Sequence, residues 1–244
     1  MIVPNVRSSF DRADAAFLVW VLTRGDESAR EQARRRLDEE GLDTILDDPR
    51  TFNALMAARE FSSAQPGLVF YLLVRHALLE GGITDRLLAD YLATLLVAFG
   101  NSRRAFSPDD ENEFRHLVDI VAAGDGARGE RAFLLRAHLG EFALWLSGLF
   151  PDHISARVQR RGAPGIGYYE QLGATGYRMA AEYGIARQHG LDRLYRDCAY
   201  GFPALRTALN RIADRHIFPA TGDRIERLLR QVSDSFRIRP DEVV

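Results

Sequence analysis

The chain contains no lysine: all 32 of its basic residues are arginine, against 34 acidic ones in 244 residues. That composition suits a bacterial chain from a GC-rich genome. It excludes Schiff-base chemistry on lysine and the lysine-bearing phosphate loop of P-loop nucleotide-binding proteins. Cysteine is nearly absent too. Cys198 is the only one, so an intrachain disulfide and a cysteine zinc site are both excluded, as in a protein of a reducing, cytoplasmic compartment. The net charge is −2 and the pI about 6.3, which leaves no electrostatic footprint for nucleic acid or an anionic membrane. No uncharged run reaches the ~18 residues of a spanning helix. Asp11 and Asp14 interrupt the only N-terminal segment that has something of a signal peptide.

What is present is helical periodicity, with no run of strand-like alternation. The pattern predicts an all-α fold: a single globular multi-helix domain over 1–244, with loose ends at about 1–10 and 240–244. Two segments, about 68–79 and 131–150, are apolar on nearly every side and read as central buried helices. A charged helix, 27–40, ends at Gly41. Ser107-Pro108-Asp109-Asp110-Glu111 has the cap, the proline and the acids of a helix start. Small residues recur at three and four in two segments: Gly140, Ala143 and Ser147 in one, and Gly173, Gly176, Ala180 and Gly184 in the other. Glycine inside a helix costs about 0.5–1 kcal/mol against alanine, so this pattern predicts close packing of helix 131–150 on helix 168–187.

Candidate site residues fall into two groups. Four polar residues, Arg75, His76, His138 and Glu141, sit inside the two apolar helices. A buried carboxylate must be paired or neutral, so Glu141 is expected to pair with a buried arginine, Arg75 or Arg136, and the four are expected to meet in the interior. Asp152, His153, Tyr168 and Tyr169 gather, with Arg157, Arg160 and Arg161, about a Pro/Gly-punctuated corner. Such a corner could bind a phosphate or carboxylate, or simply join two helices.

Histidine–carboxylate pairs at helical spacing suggest a different chemistry. Glu113-Phe114-Arg115-His116 has the Glu-x-x-His order that helical bundles use for di-iron and di-manganese centres, and His138-Leu139-Gly140-Glu141 has it reversed. With so many acids in the chain, roughly two or three of six histidines would gain such a neighbour by chance.

No nucleotide fingerprint, nucleophile elbow or His-Glu-x-x-His motif is present. The sequence therefore points to a non-enzymatic helical binding, scaffold or regulatory protein without a cofactor, acting through a protein partner or small ligand. The alternative is a metal-dependent helical-bundle enzyme holding iron or manganese on Glu113, His116, His138 and Glu141. The segment 223–236 carries Ile225, Leu228, Leu229, Val232 and Phe236 on one face, which must be covered either by docking on its own domain or, in a homodimer, by the same helix of a second chain.

Overall fold

Helix α1 (Arg12–Thr23) starts on a reciprocal cap: the Asp11 side chain accepts from the N–H groups of Ala13 and Asp14, and Asp14 accepts from Asp11. This is the first element of an all-helical chain, seen in a computed structural model that describes residues 1–24, 26–58, 65–100, 114 and 116–219. Thirteen α-helices and no strand occur among the described residues. After α1 come α2 (Glu27–Glu40), α3 (Leu42–Asp47), α4 (Pro49–Ala58), α5 (Pro66–Glu80) and α6 (Arg86–Gly100). Next are α7 (Leu117–Asp125), α8 (Gly129–Leu149), α9 (Pro151–Arg161), α10 (Ile166–Ala181), α11 (Gly184–Gln188), α12 (Asp192–Tyr200) and α13 (Phe202–Ile212). A π-helical turn, Ala213–Ile217, continues α13. The start signal at 107–111 and the segment 223–236 lie outside the described residues.

Helices α5 and α8 are the central ones. Nine residues of α5 and fourteen of α8 are buried, more than one stripe of either helix could supply. Helix α8 packs against α7, α10 and α13, while α5 packs against α6 and α13. The charged α2 buries only Ala33. It stops where Gly41 takes φ +83°, a backbone region that favours glycine. The expected helix over 168–187 is divided. Helix α10 ends at Ala181, and Tyr183 is extended before α11 begins.

The small residues do what their spacing predicts, except Gly184, which opens α11 and has only the Arg187 side chain within 4 Å of its ideal Cβ. A Cβ on Gly176 would lie 2.8 Å from the Arg136 carbonyl oxygen and 2.8 Å from the Gly140 nitrogen, so the backbones of α8 and α10 touch there. A Cβ on Gly140 would come within 2.7 Å of the Tyr177 ring, and one on Gly173 would strike Phe202. Gly148 gives the same room to Leu209 of α13.

Residues 1–10, expected to be loose, are held instead. Ile2 and Val6 are buried in the main core. The backbone N–H groups of Ile2, Asn5 and Arg7 donate to Glu141, Thr94 and Asp90 respectively. A segment with no periodicity offered no sequence sign of this, because its partners lie on α6 and α8.

Candidate functional site

The four polar residues of the central helices are all buried, Arg75, His76, His138 and Glu141 being 2–6 % exposed. They do not form one pair-matched cluster. The Arg75 guanidinium makes a bidentate ion pair with Asp47 of α3, at 2.6 and 3.0 Å, and donates to the Thr84 carbonyl at 2.8 Å. Asp47 also accepts from Arg86. Arg136 donates to the Gly124 carbonyl. Neither arginine therefore serves Glu141, and the expected Glu141–arginine pair is corrected: the carboxylate of the buried arginine is Asp47. Burial works to raise the Asp47 pKa, but Arg75 and Arg86 outweigh it and hold the carboxyl below its ordinary range.

Glu141 belongs to a different network. Its Oε1 accepts from the Ile2 N–H at 3.2 Å and from the Tyr91 hydroxyl at 3.4 Å, and the Tyr91 oxygen in turn accepts from the Tyr177 hydroxyl at 3.1 Å. His138 Nδ1 lies 3.9 Å from Glu141 Oε2, too far for a direct hydrogen bond. Burial alone would raise the Glu141 pKa, yet His138 and the Ile2 N–H leave it below the ordinary value. Tyr91, Tyr177 and Tyr195 pack ring against ring around this carboxylate. Burial pushes their hydroxyl pKa values far up, so all three stay neutral; Tyr91 and Tyr177 are hydrogen-bonded, while the Tyr195 hydroxyl has no partner among the described residues. Burial also raises the thiol of the fully enclosed Cys198, which leaves it no nucleophilic role.

His76 rests behind Phe52, the two rings stacked 4.6 Å apart at 19°. Its Nε2 is 3.0 Å from the Leu46 carbonyl oxygen, an arrangement that suits a neutral ring donating Nε2–H. Desolvation lowers its pKa more than that bond and the neighbouring Asp47 raise it. In the unfolded chain a histidine protonates near pH 6.5. The folded state therefore binds fewer protons below that point, and stability falls as pH drops from about 7 toward the depressed folded value. The urea midpoint is expected to decrease between pH 7.5 and 5.5, and His76→Gln should flatten that decrease. An unchanged slope in the variant would assign the pH dependence elsewhere.

The corner after α8 is a helix junction. Asp152 is half-buried in the first turn of α9 and His153 is exposed. Tyr169 is buried against the half-buried Tyr168, with rings edge to face at 5.9 Å. Glu170 accepts from Arg206 Nε at 2.7 Å. Arg206, fully buried, also donates to Asn210, and Asn210 donates to the carbonyls of Ser147 and Gly148. This chain satisfies end carbonyls of α8 that the helix itself cannot. The sequence reading passed over it, although Arg206 and Asn210 share the apolar face of Phe202, Leu209 and Ala213.

Of the proposed metal ligands, Glu113 lies outside the described residues. His116 is exposed at the start of α7, whereas His138 and Glu141 are buried in α8. No group of three or more metal-ligating side chains converges among the described residues. No helix among them is long and apolar enough to cross a membrane.

One feature open to solvent combines a concavity with charge. A shallow depression, with enclosed room of only about 10 Å³, about that of one water, lies between α4, α5 and α13. Phe52, Ala77 and Ile212 form its apolar wall, and Arg211, Arg215 and His216 its polar rim. The π-helical turn carries Arg215 and His216; such turns are rare and concentrate at functional sites. Glu80 neutralises Arg215 through contacts of 2.8 and 3.1 Å. Arg211 makes no ion pair among the described residues; its Nη1 lies over the end of α5, beside Gly81. His216 meets Phe52 edge to face at 5.7 Å, and burial together with Arg215 lowers its pKa. With His216 neutral, the depression carries one uncompensated positive charge beside an aromatic face. Nothing in the sequence marked it, because its three walls come from distant segments.

Comparison of the chain with known protein families, with curated proteins and with solved structures finds no match.

Proposed function

We propose that the protein is a non-catalytic helical binding protein, and that the rim of the shallow α4–α5–α13 depression takes the carboxylate or phosphate group of a small ligand whose apolar body lies across the surface beside Phe52. The observation that carries this reading is Arg211, a cation without an acidic partner among the described residues, at the rim of a depression walled by Phe52 and Ile212. The conspicuous ionisable residues elsewhere act as struts: Arg75 joins α5 to α3, Arg206 joins α13 to α10, and Glu141 holds the N-terminal segment. An anion at Arg211 would gain a charge-assisted hydrogen bond, and a ring would gain contact with Phe52. The same reading has the protein acting in the cytoplasm as a homodimer or with a protein partner, through segment 223–236.

Titration calorimetry with benzoate, acetate and inorganic phosphate tests it. Benzoate is expected to bind more tightly than acetate, and Arg211→Gln to weaken it about tenfold, as loss of one charge-assisted bond implies. If none of the three binds at millimolar concentration, the reading fails. Elemental analysis of the same sample addresses the alternative: stoichiometric iron or manganese would replace this proposal with the metal-dependent enzyme. Light scattering on that sample counts the copies.

A further inference from the structure

The N-terminal segment lies on the helices in an unusual way. Residues 1–5 have no regular secondary structure, and Arg7–Ser9 form one 3₁₀ turn. Their backbone donors are satisfied by side chains of the helical body rather than by other backbone. Asp90 and Thr94, one turn apart on α6, take the N–H groups of Arg7 and Asn5, at 2.8 and 3.2 Å, and Glu141 of α8 takes that of Ile2. Ile2 and Val6, four residues apart, are the side chains that insert. Val6 packs on the bare backbone of Gly67 in α5, where a Cβ would lie 3.2 Å from its Cγ1. Between them Val3 and Asn5 face solvent. The segment thus occupies a trough lined by residues of α5, α6 and α8. It reads main-chain N–H groups and two aliphatic side chains, the mixture that extended-peptide grooves use.

We infer that this trough is a peptide-binding groove whose resident occupant, residues 1–7, is a detachable strap, and that the same segment of a second copy of the chain can take its place. The occupant's chemistry is fixed by what is seated there: an extended segment with branched aliphatic side chains four apart and free N–H groups facing Asp90, Thr94 and Glu141. Exchange of an identical element between two copies keeps every contact, so it requires no new complementary surface. Only Ile2 and Val6 of the strap are fully buried, Met1 packs on the core half-buried, and the Arg7–Asp43 ion pair that continues the strap is partly solvent-exposed. Local detachment therefore needs far less disruption than opening α5 or α8. Detachment would also release the Glu141 Oε1 from the Ile2 N–H.

Two measurements on the full chain test the inference. In native-state hydrogen exchange of the wild-type protein, the amides of Ile2, Asn5 and Arg7 should exchange at least on the order of 100-fold faster than those of Leu72 and Leu139. Exchange of the strap at the global unfolding rate would overturn it. In the second, the full chain carrying Ile2→Asp vacates the groove. A fluorescein-labelled peptide of residues 1–10 is expected to bind it saturably, and the same peptide with Ile2→Asp is expected not to bind. A folded Ile2→Asp chain, checked by circular dichroism, that ignores the wild-type peptide sinks the proposal. If that variant does not fold, the exchange measurement alone decides.

Discussion

Replacing Asp47 with alanine is expected to cost about 3–5 kcal/mol of folding stability, because it leaves a buried guanidinium without its carboxylate. Arg75 is 3 % exposed, and both of its carboxylate bonds go to Asp47. The remaining partner, the Thr84 carbonyl, cannot balance a full charge in that environment. For a chain of this size the loss corresponds to roughly 6–20 °C in Tm, readable by urea denaturation and by calorimetry. The double variant Asp47→Ala with Arg75→Met should recover most of the loss, since a hydrophobic side chain of similar volume removes the stranded charge. A single-variant loss below about 1 kcal/mol would mean that water reaches Arg75, and would place this pair among ordinary surface ion pairs. Acid should act in the same direction. The Asp47 pKa is depressed in the folded state, so its contribution is present above the unfolded value near 3.9 and is lost as pH falls through the folded one.

That the partner is Asp47 and not Glu141 shows where sequence reasoning stops. Burial of Arg75, His76, His138 and Glu141 was legible, because each interrupts a helix apolar on all sides and such helices must be interior. Pairing was not legible, because it depends on which helices meet. Asp47 sits at the end of a six-residue helix, beside Asp48, and looked like part of a polar connection. The N-terminal segment failed for a related reason. Ile2 and Val6 belong to no periodic element, and the acceptors of their segment stand on α6 and α8, 83 to 139 residues away. Arg206 and Asn210 were within reach: their four-residue spacing puts them on the same face as Phe202 and Leu209, where a polar pair demands buried partners. The depression at Arg211 had no such signature, since no single helix contains both its charge and its aromatic wall.

The small residues of α8 and α10 were the most legible tertiary feature, and they carry the other large expected effect. Gly176→Ala should destabilise the protein by about 2–3 kcal/mol, although alanine is the better helix former by about 1 kcal/mol. The added Cβ would stand 2.8 Å from the Arg136 carbonyl oxygen and 2.8 Å from the Gly140 nitrogen, and 3.1 Å from the Leu139 Cβ. The first two are backbone atoms inside a helix, so no side-chain rotation relieves the clash. The helices must separate, which also loosens Tyr177 over Gly140 and Phe202 over Gly173. Gly167, in the first turn of the same helix, has nothing within 4 Å of its ideal Cβ. There the same substitution should be neutral or stabilising by about 0.5 kcal/mol, through the smaller entropy of the unfolded chain. Denaturant titrations of both variants give the comparison, and it is the opposite signs that carry the argument. If Gly176→Ala also stabilises, α8 and α10 are farther apart than backbone contact. The spacing of Gly140, Gly173 and Gly176 would then need a reason other than close packing.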